Sequence, residues 1–197
     1  MNLGRLTPSN TVLLICDVQE RFRDVIWKFD SVLRTSKLLV DGCNAVGVPI
    51  VCTEQYPKAL GKTCSELTGV KYPIFSKMDF SMATADVMNH IKSLGGDKQN
   101  FIIVGLETHV CVLQTTLDLI AQGKNVHVAV DAVSSSRQTD RAVALKRMEN
   151  AGAFMTTAES VLFLLMGSAN FGNFKTVSGL VKEYGKSPSE LPFGSSL

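Results

Sequence analysis

Apolar residues in this chain form short continuous runs, which alternate with segments whose apolar positions recur at helical spacing. The runs cover residues 12–16, 49–53, 101–104, 126–130 and 153–156. Apolar residues at every position, rather than at every second one, are typical of strands in a parallel sheet that is covered on both faces. The pattern therefore predicts five strands of such a sheet.

Four segments between these runs have the periodicity of amphipathic helices, namely residues 31–46, 84–94, 110–122 and 138–150. Gly47 follows the first of them, as glycine often does at the end of a helix. Strands that alternate with helices predict right-handed crossovers. We therefore expect an α/β fold, a three-layer α/β/α sandwich around a mostly parallel, Rossmann-like central sheet.

Length and composition fit one globular domain. The chain has 197 residues, of which 45% are hydrophobic and 19% are charged, and this is enough to bury a full core. We expect a single domain over residues 1–197, with its core at about 11–184. Residues 185–197 are punctuated by Pro, Gly and Ser, which predicts a loose tail or an arm that lies on a neighbouring subunit.

The five cysteines form no Cys-x-x-Cys pair and are odd in number, which predicts reduced thiols and an intracellular protein. A cytoplasmic location is the first expectation, and a mitochondrial one stays open. The N-terminal residues lack the apolar core of a secretory signal, and no apolar run approaches the roughly 20 residues that cross a bilayer. A membrane is therefore not an expected partner.

Charge and apolar surface bear on the other partners. The net charge is only +2 and the basic residues are scattered, so nucleic acid is not expected as a partner, although it stays open. Residues 161–166 are apolar on all sides, which predicts a buried helix or a subunit contact. Together with the tail, this segment predicts a homo-oligomer.

The segment from residue 100 to residue 116 carries the clearest chemical signal in the chain. An apolar strand is followed by Gly105 and then by a helix with Cys111 in its first turn. The unpaired N–H groups and the dipole at a helix N-terminus favour an anion, so they favour the reactive thiolate form of cysteine. Most unpaired cysteines are small buried hydrophobic residues, and from position alone that interpretation of Cys111 stays open.

Two further segments place charged residues where they could act on this thiol. Asp17 follows the first apolar run, at the end of a strand where open α/β sheets bind ligands, but it could equally be a helix cap or a surface acid. Lys77 lies beside Met78 and Phe80, where an ammonium group would stabilise a nearby thiolate. The alternatives are a solvated lysine and an ion pair with Asp79.

The order of these residues resembles that of the isochorismatase-like cysteine hydrolases, which have an Asp after the first strand, a Lys in the middle of the chain and a Cys in a Gly-x-x-Thr-x-x-Cys turn. Asp17, Lys77 and Cys111 stand at these positions, and Gly105 and Thr108 complete the turn. The resemblance runs from about residue 11 to residue 165. It looks closest to the isochorismatase domain-containing subgroup through Cys-Asp-Val-Gln-Glu-Arg-Phe at 16–22, Thr-Glu-Gln-Tyr-Pro at 53–57 and Asp-Ala-Val-Ser-Ser-Ser-Arg at 131–137.

The resemblance implies a catalytic triad. Cys111 would attack a carbonyl carbon and form a thioester, Asp17 would act as general base and proton shuttle, and Lys77 would support the thiolate. It also implies a non-proline cis peptide bond between Leu106 and Glu107, which would aim the N–H groups of Glu107 and Cys111 at one oxyanion. Glu107 departs from the family pattern, because many relatives have a small residue there.

Four other residues are candidates for the walls of a substrate pocket, although each is equally well explained as core. They are Gln19, Phe22, Tyr56 and Phe80.

The same resemblance implies a metal-independent hydrolase that cleaves a C–N bond of a small amide, carbamoyl or imide compound. Its nicotinamidase branch binds a divalent metal through an Asp and histidines after the second strand, whereas residues 53–61 here contain Glu54 and no histidine. No metal and no cofactor is therefore expected. The alternatives are a non-catalytic binding or scaffold protein with a vestigial site, and an RNA-associated, ribonuclease-like role on the same fold.

Overall fold

A computed structural model of the protein describes residues 3–193, and within them six strands form one sheet in which every neighbouring pair is parallel. The order across the sheet is β3-β2-β1-β4-β5-β6. The predicted α/β fold with a Rossmann-like parallel sheet is therefore confirmed. The strands are β1 (Thr11–Cys16), β2 (Ile50–Gln55), β3 (Ile74–Lys77), β4 (Asn100–Gly105), β5 (Asn125–Val133) and β6 (Phe154–Thr156).

Helices connect the strands and cover both faces of the sheet. The four predicted helices are confirmed, with small shifts at their ends, and a wide π-type turn over Thr108–Val112 precedes the third of them. No helix within residues 3–193 combines the length and the apolar character needed to cross a bilayer. The helices are α1 (Phe29–Val46), α2 (Pro57–Leu60), α3 (Ala85–Ser93), α4 (Leu113–Ala121), α5 (Gln138–Asn150), α6 (Ala158–Met166) and α7 (Phe174–Tyr184).

The central strand β1 shows why the apolar runs are continuous. Leu13 and Ile15 pack into a cluster with α1, α6 and α7, whereas Val12, Leu14 and Cys16 pack on the opposite face, where α3, α4 and α5 lie. Because successive side chains of a strand point to opposite faces, a strand with two covered faces needs apolar residues at every position. Cys16, at the end of β1, therefore faces the same side as Cys111.

β1 and β4 lie very close together at their carboxyl ends, where Cys16 pairs with Gly105. The carbonyl oxygen of Cys16 accepts the N–H of Leu106 at 2.7 Å. A Cβ atom on Gly105 would lie 2.1 Å from that oxygen, and the φ angle of Gly105 is +113°. Only glycine combines this φ with so short an approach.

Three elements were not predicted from the sequence: β3, α7 and the four-residue helix α2. β3 has only four residues and lies at the edge of the sheet, where Ile74 is 43% exposed, so it lacks the continuous apolar run of a central strand. α7 buries only Val177 completely, and its glycine at position 179 weakens the helical pattern.

The described part of the tail packs on its own chain. Leu191 is buried, the N–H of Glu190 donates to Ser31 Oγ at 3.2 Å, and the carbonyl of Pro192 accepts from Arg141 Nη1 at 2.8 Å. Residues 185–193 therefore make contacts within their own chain, and a loose tail or an arm on a neighbouring subunit stays an expectation. The end of the predicted arm, residues 194–197, lies outside the described residues.

The apolar segment at residues 161–166 forms most of α6 and is buried on one side only. Val161, Leu162 and Leu165 are buried, whereas Phe163 and Leu164 are exposed to solvent in the single chain. The expectation of a buried helix is therefore correct for one face of α6. The other face remains available for a subunit contact.

The close contact between Cys16 and Gly105 predicts that a single methyl group added at Gly105 greatly lowers the stability of the protein. Gly105→Ala should lower the free energy of unfolding by about 3 kcal/mol or more, because backbone strain and a steric clash act together. Gly152→Ala is the matched control, since Gly152 has a φ of +100° but nothing within 4 Å of its added Cβ, and it should lose only about 1–2 kcal/mol. Urea unfolding of both variants measures the difference, and equal losses would contradict the proposed clash.

Candidate active site

Asp17 begins the loop after β1 and its side chain is closed to solvent, with 1% exposure. Its Oδ1 accepts the hydroxyl of Thr53 at 2.7 Å, and its Oδ2 accepts Lys77 Nζ at 2.7 Å and the Cys16 thiol at 3.6 Å. The φ angle of Asp17 is +51°, an uncommon value for a residue with a side chain. The protein therefore holds this carboxylate in one orientation through both of its oxygens.

Lys77 ends β3, and its ammonium group lies in the same buried space as Asp17. Besides Asp17, Nζ donates to Gln55 Oε1 at 2.7 Å and to the backbone carbonyls of Asp79 at 3.1 Å and Phe80 at 3.0 Å. The side chain is 1% exposed. A solvated lysine is therefore ruled out, and Asp17, rather than the carboxylate of Asp79, is its ion-pair partner.

The charges around Lys77 keep it protonated. Burial by itself lowers the pKa of a lysine, but here the interactions with Cys16, Asp17 and Cys111 together outweigh burial, so that the pKa of Lys77 lies above its usual value. Lys77 is therefore a permanent cation at neutral pH. A permanent buried cation is the group that a neighbouring thiolate needs for its stabilisation.

Cys111 lies in the π-type turn that joins β4 to α4, rather than in a regular first helical turn. It is 6% exposed, and its thiol is near enough to Cys16 and to the Lys77 ammonium group to interact electrostatically with both. Its carbonyl accepts the hydroxyl of Thr115 at 2.6 Å, and Thr115 in turn accepts the N–H of Met82 at 2.8 Å. The structure thus brings the three predicted triad residues together from the ends of β1, β3 and β4.

Cys16 is a member of this cluster that sequence reasoning missed. Burial, the neighbouring Cys111 thiol and the charge of Asp17 raise the pKa of Cys16 well above its usual value, so it is a neutral thiol beside the candidate nucleophile. Its place directly before Asp17 on an apolar strand was the available signal. Thr53 and Gln55 were missed as well, although the fragment at residues 53–57 contains both.

The four predicted pocket residues separate into two pairs. Gln19 is fully buried, and its amide binds backbone groups of Gln55 and Gly61 at 2.6–3.0 Å, so it holds two loops together. Phe22 packs against the core on the α1 face of the sheet. Tyr56 and Phe80 are 45% and 51% exposed, so this second pair offers more surface to a ligand than the partly buried Phe22 and the buried Gln19.

The environment of Glu107 differs from the expectation. The structure has no cis peptide bond within residues 3–193, so the expectation of a cis bond between Leu106 and Glu107 is wrong. The Glu107 carboxylate accepts the N–H of Ser136 at 2.8 Å, and its carbonyl accepts the N–H of Val110 at 3.0 Å. Glu107 therefore ties the turn before α4 to the loop after β5.

Carboxylates that could hold a metal ion already have partners. Glu54 Oε1 accepts both the N–H and the hydroxyl of Thr63, at 2.7 and 2.9 Å. Among the described residues, one cluster of three candidate ligands is found, formed by Glu20, Cys64 and Glu66. Arg23 pairs with both carboxylates of that cluster, at 2.5 and 2.8 Å, and so supplies its positive charge.

Known proteins share the sequence and the fold of this chain. The Isochorismatase domain matches residues 11–160. The chain belongs to the isochorismatase family. An isochorismatase domain-containing protein 2 from Danio rerio is 40% identical over 195 residues, which is 99% of this chain and 98% of that protein. The family resemblance seen in the sequence is therefore confirmed.

Two solved structures have the same fold as this chain. The MAR1 ribonuclease from Caenorhabditis elegans is 42% identical, with a TM-score of 0.89 over 98% of this chain and all of that one. The YcaC gene product from Escherichia coli, an octameric hydrolase of unknown specificity, is 23% identical, with a TM-score of 0.76 over 94% of this chain and 98% of that one. At this identity the second protein shows a shared fold only.

The buried ion pair predicts strong coupling between two substitutions. Lys77→Met should lower the free energy of unfolding by about 3–5 kcal/mol, because it leaves the Asp17 carboxylate buried without its cation. The double variant Asp17→Asn/Lys77→Met should lose less than the sum of the two single variants, since it removes both charges.

A surface ion pair provides the control for this cycle. Lys37→Met removes the pair with Asp41, whose side chains are 49% and 27% exposed, and it should change the stability by at most about 1 kcal/mol. Chemical unfolding of the five proteins, wild type included, gives the coupling energy. Additive losses at Lys77 and Asp17 would mean that the two charges do not stabilise each other.

Proposed function

We propose that this isochorismatase family member is a metal-independent cysteine hydrolase that cleaves a C–N bond of a small amide, carbamoyl or imide compound. The observation that carries the proposal is the juxtaposition of Cys111, a buried ammonium group and a buried carboxylate. These three groups supply a nucleophile, a cation that stabilises its thiolate and a proton acceptor, which are the components that covalent hydrolysis at a carbonyl group requires.

In the proposed reaction Asp17 accepts the proton of the Cys111 thiol, and the sulfur attacks the carbonyl carbon of the substrate. The proposed donors to the oxyanion are the N–H groups of Glu107 and Cys111. Glu107 directly precedes the turn Thr108–Val112, which is the nucleophile turn because it carries Cys111. Asp17 then gives its proton to the departing nitrogen, which leaves a thioester on Cys111. Water that loses a proton to Asp17 hydrolyses the thioester and restores the thiol.

The depth of the site supports a small substrate. Asp17 and Lys77 are each 1% exposed, and Cys111 is 6% exposed, so only a small, flat group can come within reach of the sulfur. Tyr56 and Phe80, which are half exposed, are the proposed outer walls. The two hydrogen bonds that Glu54 Oε1, in β2, accepts from Thr63 support a reaction without a metal ion, because this oxygen already has partners within the protein.

A homo-oligomer remains part of the proposal. Phe163 and Leu164 on α6 are 39% and 46% exposed in the single chain, and adjacent exposed apolar side chains are often covered by another subunit.

The reactivity of Cys111 tests the proposal. At pH 7 Cys111 should react with iodoacetamide much faster than Cys43, Cys52 and Cys64, because burial raises the pKa of each of those three thiols to about 12. Peptide mass spectrometry after partial alkylation of the folded protein gives all four rates. The role of the cation is isolated by comparing Asp17→Asn with Asp17→Asn/Lys77→Met, a pair in which neither variant buries a lone carboxylate.

Removal of the ammonium group in the Asp17→Asn background should slow the alkylation of Cys111 about tenfold, which corresponds to about 1.4 kcal/mol of lost thiolate stabilisation. Lys37→Met should leave the rate unchanged. Release of ammonia or amine from a panel of small amides and imides, absent in Cys111→Ala, then measures turnover. If Cys111 reacts no faster than Cys43 and is indifferent to Lys77, the protein is better described as a binding protein with a vestigial site.

A ribonuclease-like activity is the second candidate, and the name of the C. elegans relative favours it. Such a reaction needs proton transfer by Asp17 but no nucleophilic sulfur, because the ribose 2′-hydroxyl can attack the phosphate. Cleavage of single-stranded RNA should then persist in Cys111→Ala and be lost in Asp17→Asn. Loss in both variants, or no cleavage by the wild type, would favour the cysteine hydrolase.

A further inference from the structure

A second thiol lies against the candidate nucleophile. Cys16 and Cys111 belong to the same apolar cluster on one face of the sheet, and their thiols are near enough to interact electrostatically. Cys16 comes from the end of β1, whereas Cys111 comes from the turn after β4. The contact therefore joins two segments that are far apart in the sequence, and it is not a consequence of local geometry.

The backbone brings these thiols together at the carboxyl ends of β1 and β4. Cys16 pairs with Gly105, and the N–H of Leu106 donates to the Cys16 carbonyl at 2.7 Å. The turn that carries Cys111 starts three residues after Gly105, so it is anchored directly beside Cys16. The Cys16 thiol also donates to Asp17 Oδ2 at 3.6 Å, which places a proton acceptor in contact with it.

The other three cysteines lack this arrangement. Cys43 lies in the cluster on the opposite face of the sheet, and the Cys52 thiol contacts the carbonyl of Thr53 and the hydroxyl of Thr63. Cys64 is near Arg23 and Glu20. Within residues 3–193, Cys16 is the cysteine that combines contact with Cys111 and contact with a carboxylate.

We propose that Cys16 is a resolving cysteine: when a peroxide oxidises Cys111, Cys16 forms a disulfide with it and switches the site off reversibly. This inference rests on the proposed function, since it needs Cys111 to be a reactive thiolate. Cys16 has no direct part in the hydrolytic steps, and its position buried behind the nucleophile suits a second role. The disulfide would cover the sulfur that attacks the substrate.

The chemistry balances with hydrogen peroxide as the only oxidant. The Cys111 thiolate attacks one peroxide oxygen, the O–O bond breaks, and the released hydroxide takes up a proton to become water, which leaves Cys111 as a sulfenic acid. Cys16 then gives its proton to Asp17, and its sulfur attacks the sulfur of Cys111. The hydroxyl group leaves as water with the proton from Asp17, so two thiols are oxidised and one peroxide becomes two waters.

A resolving thiol has a clear chemical consequence. A sulfenic acid without a neighbouring thiol reacts with further peroxide to give sulfinic acid, which ordinary reductants do not reverse, whereas a disulfide is restored by a thiol. Peroxide should therefore inactivate the wild-type site reversibly and a site without Cys16 irreversibly.

The linked peptide is the direct test. Folded protein is treated with hydrogen peroxide, its free thiols are blocked after denaturation, and it is digested with trypsin without reduction. Cleavage gives a peptide of residues 6–21 with Cys16 as its only cysteine and a peptide of residues 99–124 with Cys111 as its only cysteine. We expect these two peptides to be joined by a disulfide, and dithiothreitol should release them and restore the alkylation of Cys111 by iodoacetamide.

Cys16→Ala and Cys43→Ala form the matched pair of variants, because each removes one fully buried thiol. In Cys16→Ala the linked peptide should be lost, dimedone should trap Cys111 as a sulfenic acid, and the alkylation of Cys111 should not return after dithiothreitol. Cys43→Ala should behave as the wild type. If Cys16→Ala does not fold, the linked peptide in the wild type still decides the question.

The outcomes separate the two proposals. Rapid alkylation of Cys111 at pH 7, with peroxide giving sulfinic acid and no linked peptide, would overturn the resolving role of Cys16 and leave the hydrolase proposal standing. Slow alkylation together with no oxidation of Cys111 would overturn both proposals. A disulfide between other cysteines, formed in place of Cys16–Cys111, would also overturn the inference.

Discussion

Lys77 and Asp17 form an ion pair that is closed to solvent, and neither charge could remain there without the other. An isolated buried carboxylate or ammonium group costs several kcal/mol, and the attraction between the two offsets this cost only when the remaining donors and acceptors are also satisfied. Here Thr53 and Gln55 of β2 and the carbonyls of residues 79 and 80 supply those partners. The pair therefore holds the ends of β1, β2 and β3 in one arrangement, and the nucleophile turn is built against it.

Close packing between β1 and β4 is the second requirement, and it is met by the backbone rather than by side chains. The glycine that ends β4 lets the carbonyl of Cys16 accept the next N–H in the chain. This hydrogen bond sets where the chain turns into Thr108–Val112 and so where the sulfur of Cys111 lies. Electrostatics thus fixes the cation and the carboxylate, while steric contact fixes the nucleophile relative to them.

Much of this arrangement could be predicted from the sequence, because parallel strands bring their carboxyl ends to one edge of a sheet. The continuous apolar runs identified five of the six strands, and the residues after them included Asp17 and Cys111. β3 could not be recognised, since a short edge strand with alternating exposure has no continuous run. Lys77 was therefore selected for its apolar neighbours and its family resemblance, without knowledge that it ends a strand.

Other features depend on long-range contacts that no local pattern contains. Gln19 resembled a pocket residue, but its amide spans two loops that are 36 and 42 residues away in the sequence. The position of Cys16 directly before Asp17 was the one signal in the sequence, because its contact with Cys111 arises only when β1 and β4 are adjacent.

The same burial that protects the ion pair also limits what can reach the thiol. A cation, a carboxylate and two sulfur atoms share a space from which most solvent is excluded, so charge–charge interactions there are stronger than at the surface. This setting favours a reactive thiolate, but it admits only small molecules. A small planar amide and a peroxide are alike in meeting that condition, whereas the phosphate backbone of an RNA strand is bulky and charged. The geometry that suits C–N hydrolysis thus also lets peroxide reach Cys111. The second thiol beside Cys111 is already in contact with a base, so it can form a disulfide that protects Cys111 reversibly.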